Sequence, residues 1–144
     1  MKWWVAAAAL VTMTVVLAAS GVPASVHYVS SQKVAETMAK GGQIISDEGF
    51  VVLANRRGAA EAELHDTTNH TFIIVEGEAT FVTGGSLIEP RQTGRGQTRA
   101  KGIEGGQAHQ LRKGDVITIP AKTPHWWKEV SSGTIGYYAI NIEK

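Results

Sequence analysis

The chain has 144 residues, with 14 Lys and Arg against 13 Asp and Glu, and a formal charge of +1 at pH 7. This length fits one domain, and the balanced charge argues against nucleic-acid binding, which needs a basic surface. Cysteine is absent, which excludes disulfides, iron–sulfur clusters, thiolate metal sites and cysteine nucleophiles.

The N-terminal segment has the features of a secretory signal. Lys2 precedes a mostly apolar run from Trp3 to Ala19, and small residues follow it. This pattern predicts a signal peptide over residues 1–24, cleaved after Ser20 or after Ala24. The alternative is a retained anchor, because the run is at the short limit of a membrane span. Cleavage predicts a secreted or periplasmic bacterial protein that does not associate with membranes.

Residues 25–144 are predicted to form one domain rich in short strands. Ser31 to Lys40 is a predicted helix, with Ser31 as its cap and a glycine pair at its end. Beyond it the apolar residues recur with period two, and turn residues separate the runs. Many short strands with few helices indicate a β-sandwich or barrel. The predicted strands are 43–45, 50–55, 59–65, 71–76, 79–83, 116–119, 126–130 and 135–142.

Segment 84–106 interrupts this strand pattern. It contains seven glycines, together with Arg91, Arg95, Arg99 and Lys101. One interpretation is a solvated, mobile connection. The other is a lid that guides anionic or hydroxyl-rich ligands, because long loops in compact domains are often functional.

Three of the five histidines suggest a metal site. Glu63 and His65 are two residues apart on a predicted strand, so their side chains project to the same face. His70 begins the next strand after a short turn, and His125 begins another after a proline-bounded turn. Imidazoles at strand entries beside a carboxylate are typical of a site for a divalent transition metal.

Segment 57–77 resembles the first cupin motif, G-x5-H-x-H-x3,4-E-x6-G. Glu63 stands at its first His position and His65 at its second. His70 takes the Glu position, and Gly77 takes the closing Gly. The donor set of three imidazoles and one carboxylate is therefore kept in a different order.

Segment 114–125 resembles the second cupin motif, G-x5-P-x-G-x2-H-x3-N. Its Gly, Pro and His stand at the expected spacing, and the His is His125. Lys122 replaces the middle Gly, and Glu129 replaces the final Asn. A non-glycine residue in the left-handed conformation that this turn uses costs roughly 1–2 kcal/mol.

The resemblance to small exported single-domain cupins implies an all-β fold, an antiparallel jelly-roll β-barrel after one short N-terminal helix. It implies one divalent transition metal per chain, held by His65, His70 and His125. Glu63 is a fourth ligand or a group that orients an imidazole. Copper is favoured by export, with Fe, Mn, Ni and Zn as alternatives. The other interpretation is a metal-free barrel in which Glu63 pairs with a histidine.

Strand alternation predicts which residues surround this site. Trp127 and Glu129 share a face with His125, and Phe72 shares one with His70. These three neighbours are therefore the predicted substrate-binding residues, with Trp127 stacking on a sugar ring or an aromatic substrate. The alternative for Trp127 is a packing role in the core.

The resemblance extends to copper-type oxidative cupins. It implies an oxidoreductase that uses Cu or Fe with dioxygen or peroxide on a carbohydrate, a polysaccharide or a small organic molecule. The alternatives are a redox-neutral isomerase or hydrolase that uses the ion as a Lewis acid, and a non-catalytic cupin that binds a sugar or small molecule. We also expect a homodimer, because such barrels often leave an outer strand for a second copy.

Overall fold

The computed structural model describes residues 21–144. The predicted signal peptide therefore lies outside the described residues except for its last four positions. Among the helices of residues 21–144, none is long and apolar enough to cross a membrane.

One helix, α1 (Ser31–Lys40), precedes the strands. The predicted span is confirmed, but the cap is one residue earlier than expected. Ser30 has an extended backbone, and its hydroxyl accepts a hydrogen bond from the backbone N–H of Lys33. The helix ends at Gly41, whose φ of 73° is in the region that favours glycine. The helix packs against the first two strands.

The strands form two main antiparallel sheets that enclose the core. The predicted all-β antiparallel fold is thus confirmed. The strands are β1 Gly42–Asp47, β2 Phe50–Arg57, β3 Ala62–His65, β4 Thr68–Glu76, β5 Glu78–Thr83, β6 Ser86–Ile88, β7 Arg91–Gly94, β8 Gln97–Ala100, β9 Gly102–Glu104, β10 Gln107–Arg112, β11 Val116–Ile119, β12 His125–Glu129 and β13 Ile135–Glu143. The first sheet has the order β1-β2-β13-β4-β11. The second has the order β10-β5-β12-β3-β8-β7, and β6 and β9 form a small third sheet.

Alternation along the strands decides what faces the interior. In β4, every second residue from Thr68 to Ile74 is buried, while the residues between them are partly exposed. One end of the interior is filled by an aromatic cluster of Phe72, Phe81, Trp127 and Tyr137. Ring centroids in this cluster are 4.4 Å apart for Phe81 and Trp127, and 4.8 Å apart for Trp127 and Tyr137.

Segment 84–106 is not an open connection. It forms the four short strands β6 to β9, and β8 pairs with β3. Glycine makes its tight turns: a Cβ on Gly85, where φ is 72°, would lie 2.4 Å from the carbonyl oxygen of Glu104. Such short strands give little period-two signal, so the sequence analysis missed them.

Candidate metal centre

Cross-strand pairing brings the predicted ligands to one end of the interior. On the second sheet, Glu63 of β3 lies opposite His125 of β12 on one side and Arg99 of β8 on the other. On the first sheet, His70 of β4 lies opposite Asn141 of β13. The two sheets therefore each contribute a row of polar side chains to one space between them.

Three imidazoles meet in this space. One potential ligand atom from each of His65, His70 and His125 lies within 4.8 Å of the others. The ring centroids are 4.8 Å apart for His65 and His70, and 5.4 Å apart for His65 and His125. The structure thus brings together the three histidines that the sequence singled out.

Two of the rings are oriented by hydrogen bonds on their outer nitrogens. Nδ1 of His70 lies 2.7 Å from Oδ1 of Asn141, and Nδ1 of His125 lies 3.0 Å from the carbonyl oxygen of Thr123. Both oxygens accept, so each Nδ1 carries the proton and each Nε2 keeps its lone pair. Outer hydrogen bonds of this kind fix the tautomer of histidines that bind metals.

Two buried nitrogens lack a hydrogen-bond partner among the described residues: Nδ1 of His65 and Nε2 of His70. Leaving a buried polar atom unpaired costs about 1–3 kcal/mol, so a site that does this twice within one cluster is suited to an additional group. Three imidazoles beside a carboxylate fit a divalent transition metal. The residues present therefore fit the metal that the cupin motifs imply.

Burial keeps two of the imidazoles, those of His70 and His125, in the neutral form that binds metals. It lowers the pKa of His125 to about 4, although the hydrogen bond to Thr123 opposes this shift. Burial also lowers the pKa of His70, against the opposing effect of Asn141. Both rings are therefore uncharged at neutral pH, and metal binding there needs no proton release from them.

Glu63 is the charged member of the site. Burial by itself raises its pKa, but contact with His65 and the charges of Arg57 and Arg99 outweigh burial and lower the pKa to about 2. Its Oε2 lies 3.7 Å from Nε2 of His65 and 3.8 Å from Nε2 of His125. Its Oε1 lies 2.8 Å from a guanidinium nitrogen of Arg99. One oxygen therefore faces the imidazoles and the other faces the arginines.

The cluster lines a cavity of about 220 Å³. Four polar lining residues were not singled out by the sequence: Asn55, Arg57, Tyr137 and Asn141. Arg99 was noted only as a basic residue of segment 84–106, without a place beside Glu63. Alternation from Glu63 or His70 does not reach these residues, because they lie on strands whose pairing the sequence did not reveal. The lining consists of Leu53, Asn55, Arg57, Glu63, His65, His70, Phe72, Arg99, His125, Tyr137, Ala139 and Asn141.

The three predicted substrate-binding residues take different places. Phe72 lines the cavity. Trp127 is 2% exposed and packs behind Phe72, with ring centroids 5.8 Å apart, and it is not part of the lining. Glu129 is exposed and also outside the lining, because a bulge between Trp127 and Glu129 interrupts the alternation. The structure thus places Trp127 in the core, which was the alternative to a stacking role.

No protein-family model matches the sequence, and no curated protein matches it either. Solved structures do match. BH2720 from Bacillus halodurans superposes with a TM-score of 0.58 at 15% identity, over 81% of each chain. An RmlC-like cupin family protein with a double-stranded β-helix fold, from Methanocaldococcus jannaschii, gives a TM-score of 0.50 at 11% identity, over 72% of this chain and 78% of the other. The fold is that of the cupins.

The iron(II) form of HppE shares the cupin fold as well. It gives a TM-score of 0.52 at 15% identity and covers 71% of this chain. This chain spans about half the length of HppE, with 50% of that protein covered. A cobalt(II) form of HppE also matches, with a TM-score of 0.51. The cupin fold predicted from the two motifs is confirmed, and identities this low support the fold alone.

Proposed function

We propose that the protein is a mononuclear metal-dependent cupin that oxidises a small organic molecule with dioxygen or peroxide. The observation that carries this proposal is the convergence of three imidazoles on one cavity, with two of their nitrogens buried and unpaired. A bound copper or iron ion would supply the redox chemistry with the oxidant. Iron and cobalt are the metals of the HppE structures, while predicted export favours copper.

The chain's own residues hold and enclose the reacting groups. His65, His70 and His125 bind the ion, and Asn141 orients one of these rings. The lining contains no serine, threonine or cysteine, so a hydroxyl or thiol nucleophile activated by histidine has no support here. This composition favours chemistry at the ion over covalent catalysis by a side chain.

Tyr137 is suited to protonate or hydrogen-bond a bound molecule. Burial raises the pKa of its phenol, and the charge of Arg57 only partly offsets this effect. The hydroxyl therefore stays protonated at neutral pH and can donate. Tyr137 also lines the cavity, which places a proton donor beside the proposed reaction site.

The size of the cavity favours a small substrate. Its volume of about 220 Å³ is below the range of roughly 300–1,000 Å³ usual for pockets that enclose drug-sized ligands. A polysaccharide would need an open groove, and the tryptophan predicted to stack on a sugar is in the core. Within the predicted substrate range we therefore propose a small organic molecule.

Export and dimerisation remain part of the proposal on sequence grounds. The predicted signal peptide supports secretion, and N-terminal sequencing of protein recovered outside the cytoplasm tests it. A fragment that starts at residue 21 or 25 is expected. The unpaired outer strands support a homodimer, and sedimentation at micromolar concentration tests that expectation.

Metal analysis tests the central claim. Protein purified without added metal should contain about one copper or iron per chain, and His125→Ala should lose it. His27→Ala is the matched control, because His27 is exposed and pairs with Asp47 far along the chain from the cluster. Zinc in the unmodified protein and in His27→Ala would instead support a redox-neutral enzyme. No metal at all would support a binding protein and overturn the proposal.

Activity provides the second test. The metal-loaded protein, given peroxide and a reductant, should oxidise at least one compound in a panel of small alcohols, acids and phenols, and His125→Ala should not. A saccharide panel run in parallel tests the carbohydrate prediction. A metal-loaded protein that oxidises nothing in either panel would contradict the oxidoreductase proposal.

A further inference from the structure

The cavity carries more positive charge than its carboxylate needs. Its twelve lining residues include two arginines, Arg57 and Arg99, and one carboxylate, Glu63. Two guanidiniums and one carboxylate leave a surplus of one positive charge, and a divalent ion would raise it further. In a small, partly enclosed space this surplus attracts an anion.

The contacts of the two arginines leave room for such an anion. Oε1 of Glu63 lies 2.8 Å from a nitrogen of Arg99 and 3.7 Å from a nitrogen of Arg57. Both guanidiniums approach this one carboxylate oxygen, and Arg57 also contacts the phenol of Tyr137. Each guanidinium has five N–H donors in a planar fork, so donors remain for a further acceptor. Their side chains are 31% and 40% exposed, so both can be reached from the cavity.

A surface pair in the same protein provides a comparison for the contacts of these two arginines. Arg91 donates to both carboxylate oxygens of Glu61, at 2.8 and 2.7 Å. This two-point contact is the strong form of an arginine–carboxylate interaction. Neither Arg57 nor Arg99 makes such a contact with Glu63. If the arginines served only to neutralise Glu63, one guanidinium in the geometry of Arg91 would suffice.

We propose that Arg57 and Arg99 form the binding site for the oxyanion group of a small organic substrate, next to the imidazole cluster. The chemistry recognised is that of a carboxylate or a phosphate-type group, both of which accept two parallel N–H bonds from a guanidinium. The catalytic meaning of this site rests on the proposed metal-dependent function. The oxyanion binding itself does not, because the arginines are charged without a metal.

The substrate is then anchored at one end and reacts at the other. Glu63 lies between the arginines and the imidazoles, because its two oxygens face opposite groups. An oxyanion on the arginine side therefore directs the remainder of a short molecule toward His125 and His65. Phe72 and Leu53, which line the same cavity, provide apolar contact for that remainder.

The test is a binding titration with simple probes. Pyruvate, acetate and inorganic phosphate are added to ¹⁵N-labelled protein, both metal-free and loaded with Zn²⁺, with acetamide as the neutral analogue of acetate. The side-chain Nε–H signals of arginine report binding. At least one of the anions should shift the signals of Arg57 and Arg99, and acetamide should not. The stronger of carboxylate and phosphate identifies the source of the oxyanion.

Substitutions then assign the site. Arg57→Gln and Arg99→Gln should each weaken binding of the responding anion at least about tenfold, and Arg99→Lys should weaken it less, because the charge remains. Arg95→Gln is the matched control, since Arg95 is an exposed arginine in the turn between β7 and β8 and is outside the lining. In metal-free protein, Glu63→Gln should tighten binding, because it removes a competing anion from the guanidiniums.

The outcomes separate this inference from the proposed function. Metal content is measured for every variant. Two outcomes would overturn the arginine site alone. In one, zinc or copper binds but no anion shifts the arginine signals. In the other, anion binding is unchanged in both Arg57→Gln and Arg99→Gln. An anion response lost in Arg57→Gln and Arg99→Gln but no metal in any protein would uphold the site and overturn the metal-dependent function. If Arg99→Gln fails to fold by circular dichroism, Arg57→Gln and Arg99→Lys decide the matter.

Discussion

The two ends of the barrel interior are both built from ring side chains, but only the histidine end contains buried ring nitrogens without a hydrogen-bond partner among the described residues. At the aromatic end, Trp127 contacts Phe81 and Tyr137 at centroid distances of 4.4 and 4.8 Å. At the histidine end, the rings are 4.8 to 5.4 Å apart, yet two buried nitrogens have no partner among the described residues. The aromatic end is complete with the side chains present. The histidine end leaves two ring nitrogens that an added group could contact.

This difference assigns stability to one end and binding to the other. Phe72 belongs to both, because it packs on Trp127 and lines the cavity. A rigid aromatic layer beneath the histidines limits how far they can move, which keeps the ligand atoms close without a metal present. Substitutions at the two ends should therefore have separable effects.

The largest expected effect is at the aromatic end. Trp127→Ala should lower the free energy of unfolding by about 3–5 kcal/mol, the usual cost of removing a buried tryptophan, while the folded fraction keeps its metal. Urea denaturation and metal analysis measure the two quantities. Phe81→Ala is the matched control, because Phe81 is fully buried in the same cluster. A stable Trp127→Ala protein with a raised KM would instead support the substrate-stacking role predicted from the sequence.

The sequence predicted features that depend on alternation within one strand and missed features that depend on pairing between distant strands. Period-two alternation within a strand correctly placed Glu63 with His65, and Trp127 with His125, on interior faces. Pairing between distant strands is not written in any local pattern. Arg99 meets Glu63 only because β8 pairs with β3, and Asn141 meets His70 only because β13 pairs with β4. Asn141 was therefore missed, and Arg99 was noted only as a basic residue of segment 84–106, without its contact to Glu63.

The left-handed turn at Lys122 shows how a motif can carry geometric information. Because Lys122 stands at the glycine position of the second cupin motif, the sequence predicted strain there, and its φ is 65°. Glu129 shows the opposite case. Alternation predicted that it faces the site, but the bulge after Trp127 changes the register, and bulges have no sequence signal as regular as alternation.

The pH dependence of the metal-free protein is the next largest effect. Burial lowers the pKa of His125 from the ordinary 6.5 to about 4. Between these values the unfolded chain binds more protons than the folded one. The free energy of unfolding therefore does not depend on His125 above about pH 6.5 and decreases as the pH falls from 6.5 to 4. The loss is about 3 kcal/mol for this group. Below pH 4.5 the lowered pKa of Glu63 adds a further loss in the same direction.

Urea denaturation of metal-free protein between pH 7.5 and 4 measures this slope. His125→Gln should reduce it, because glutamine does not titrate, and the part that comes from the lowered pKa of His70 remains. An equally steep slope in the His125 variant would show that protonation of His125 does not cause the loss of stability at low pH.

A smaller effect is expected from the orientation of one ring. Asn141→Ala removes the oxygen that lies 2.7 Å from Nδ1 of His70, and loss of such an outer partner typically weakens metal binding about 10–100-fold. Competition with a chelator measures the affinity. Asn55→Ala is the control, because Asn55 lines the same cavity and, among the described residues, makes no hydrogen bond to an imidazole. Equal losses in both variants would point to a general change in the cavity rather than to the orientation of His70.

The smallest effect concerns the turn that connects the two ends of the second motif. Lys122→Gly relieves a left-handed strain of roughly 1–2 kcal/mol, but glycine also adds unfolded-state entropy worth about 0.4–1 kcal/mol, so a net gain of about 0.5–1 kcal/mol is expected. The backbone N–H of residue 122 donates to the carbonyl oxygen of His65 at 2.7 Å, and this bond survives the substitution. Metal affinity should therefore not change. Lys113→Gly is the control, since Lys113 is exposed and its φ is not positive, and it should lose stability. An equal loss of stability in both variants would contradict this prediction. It would show that contacts of the Lys122 side chain offset the backbone strain.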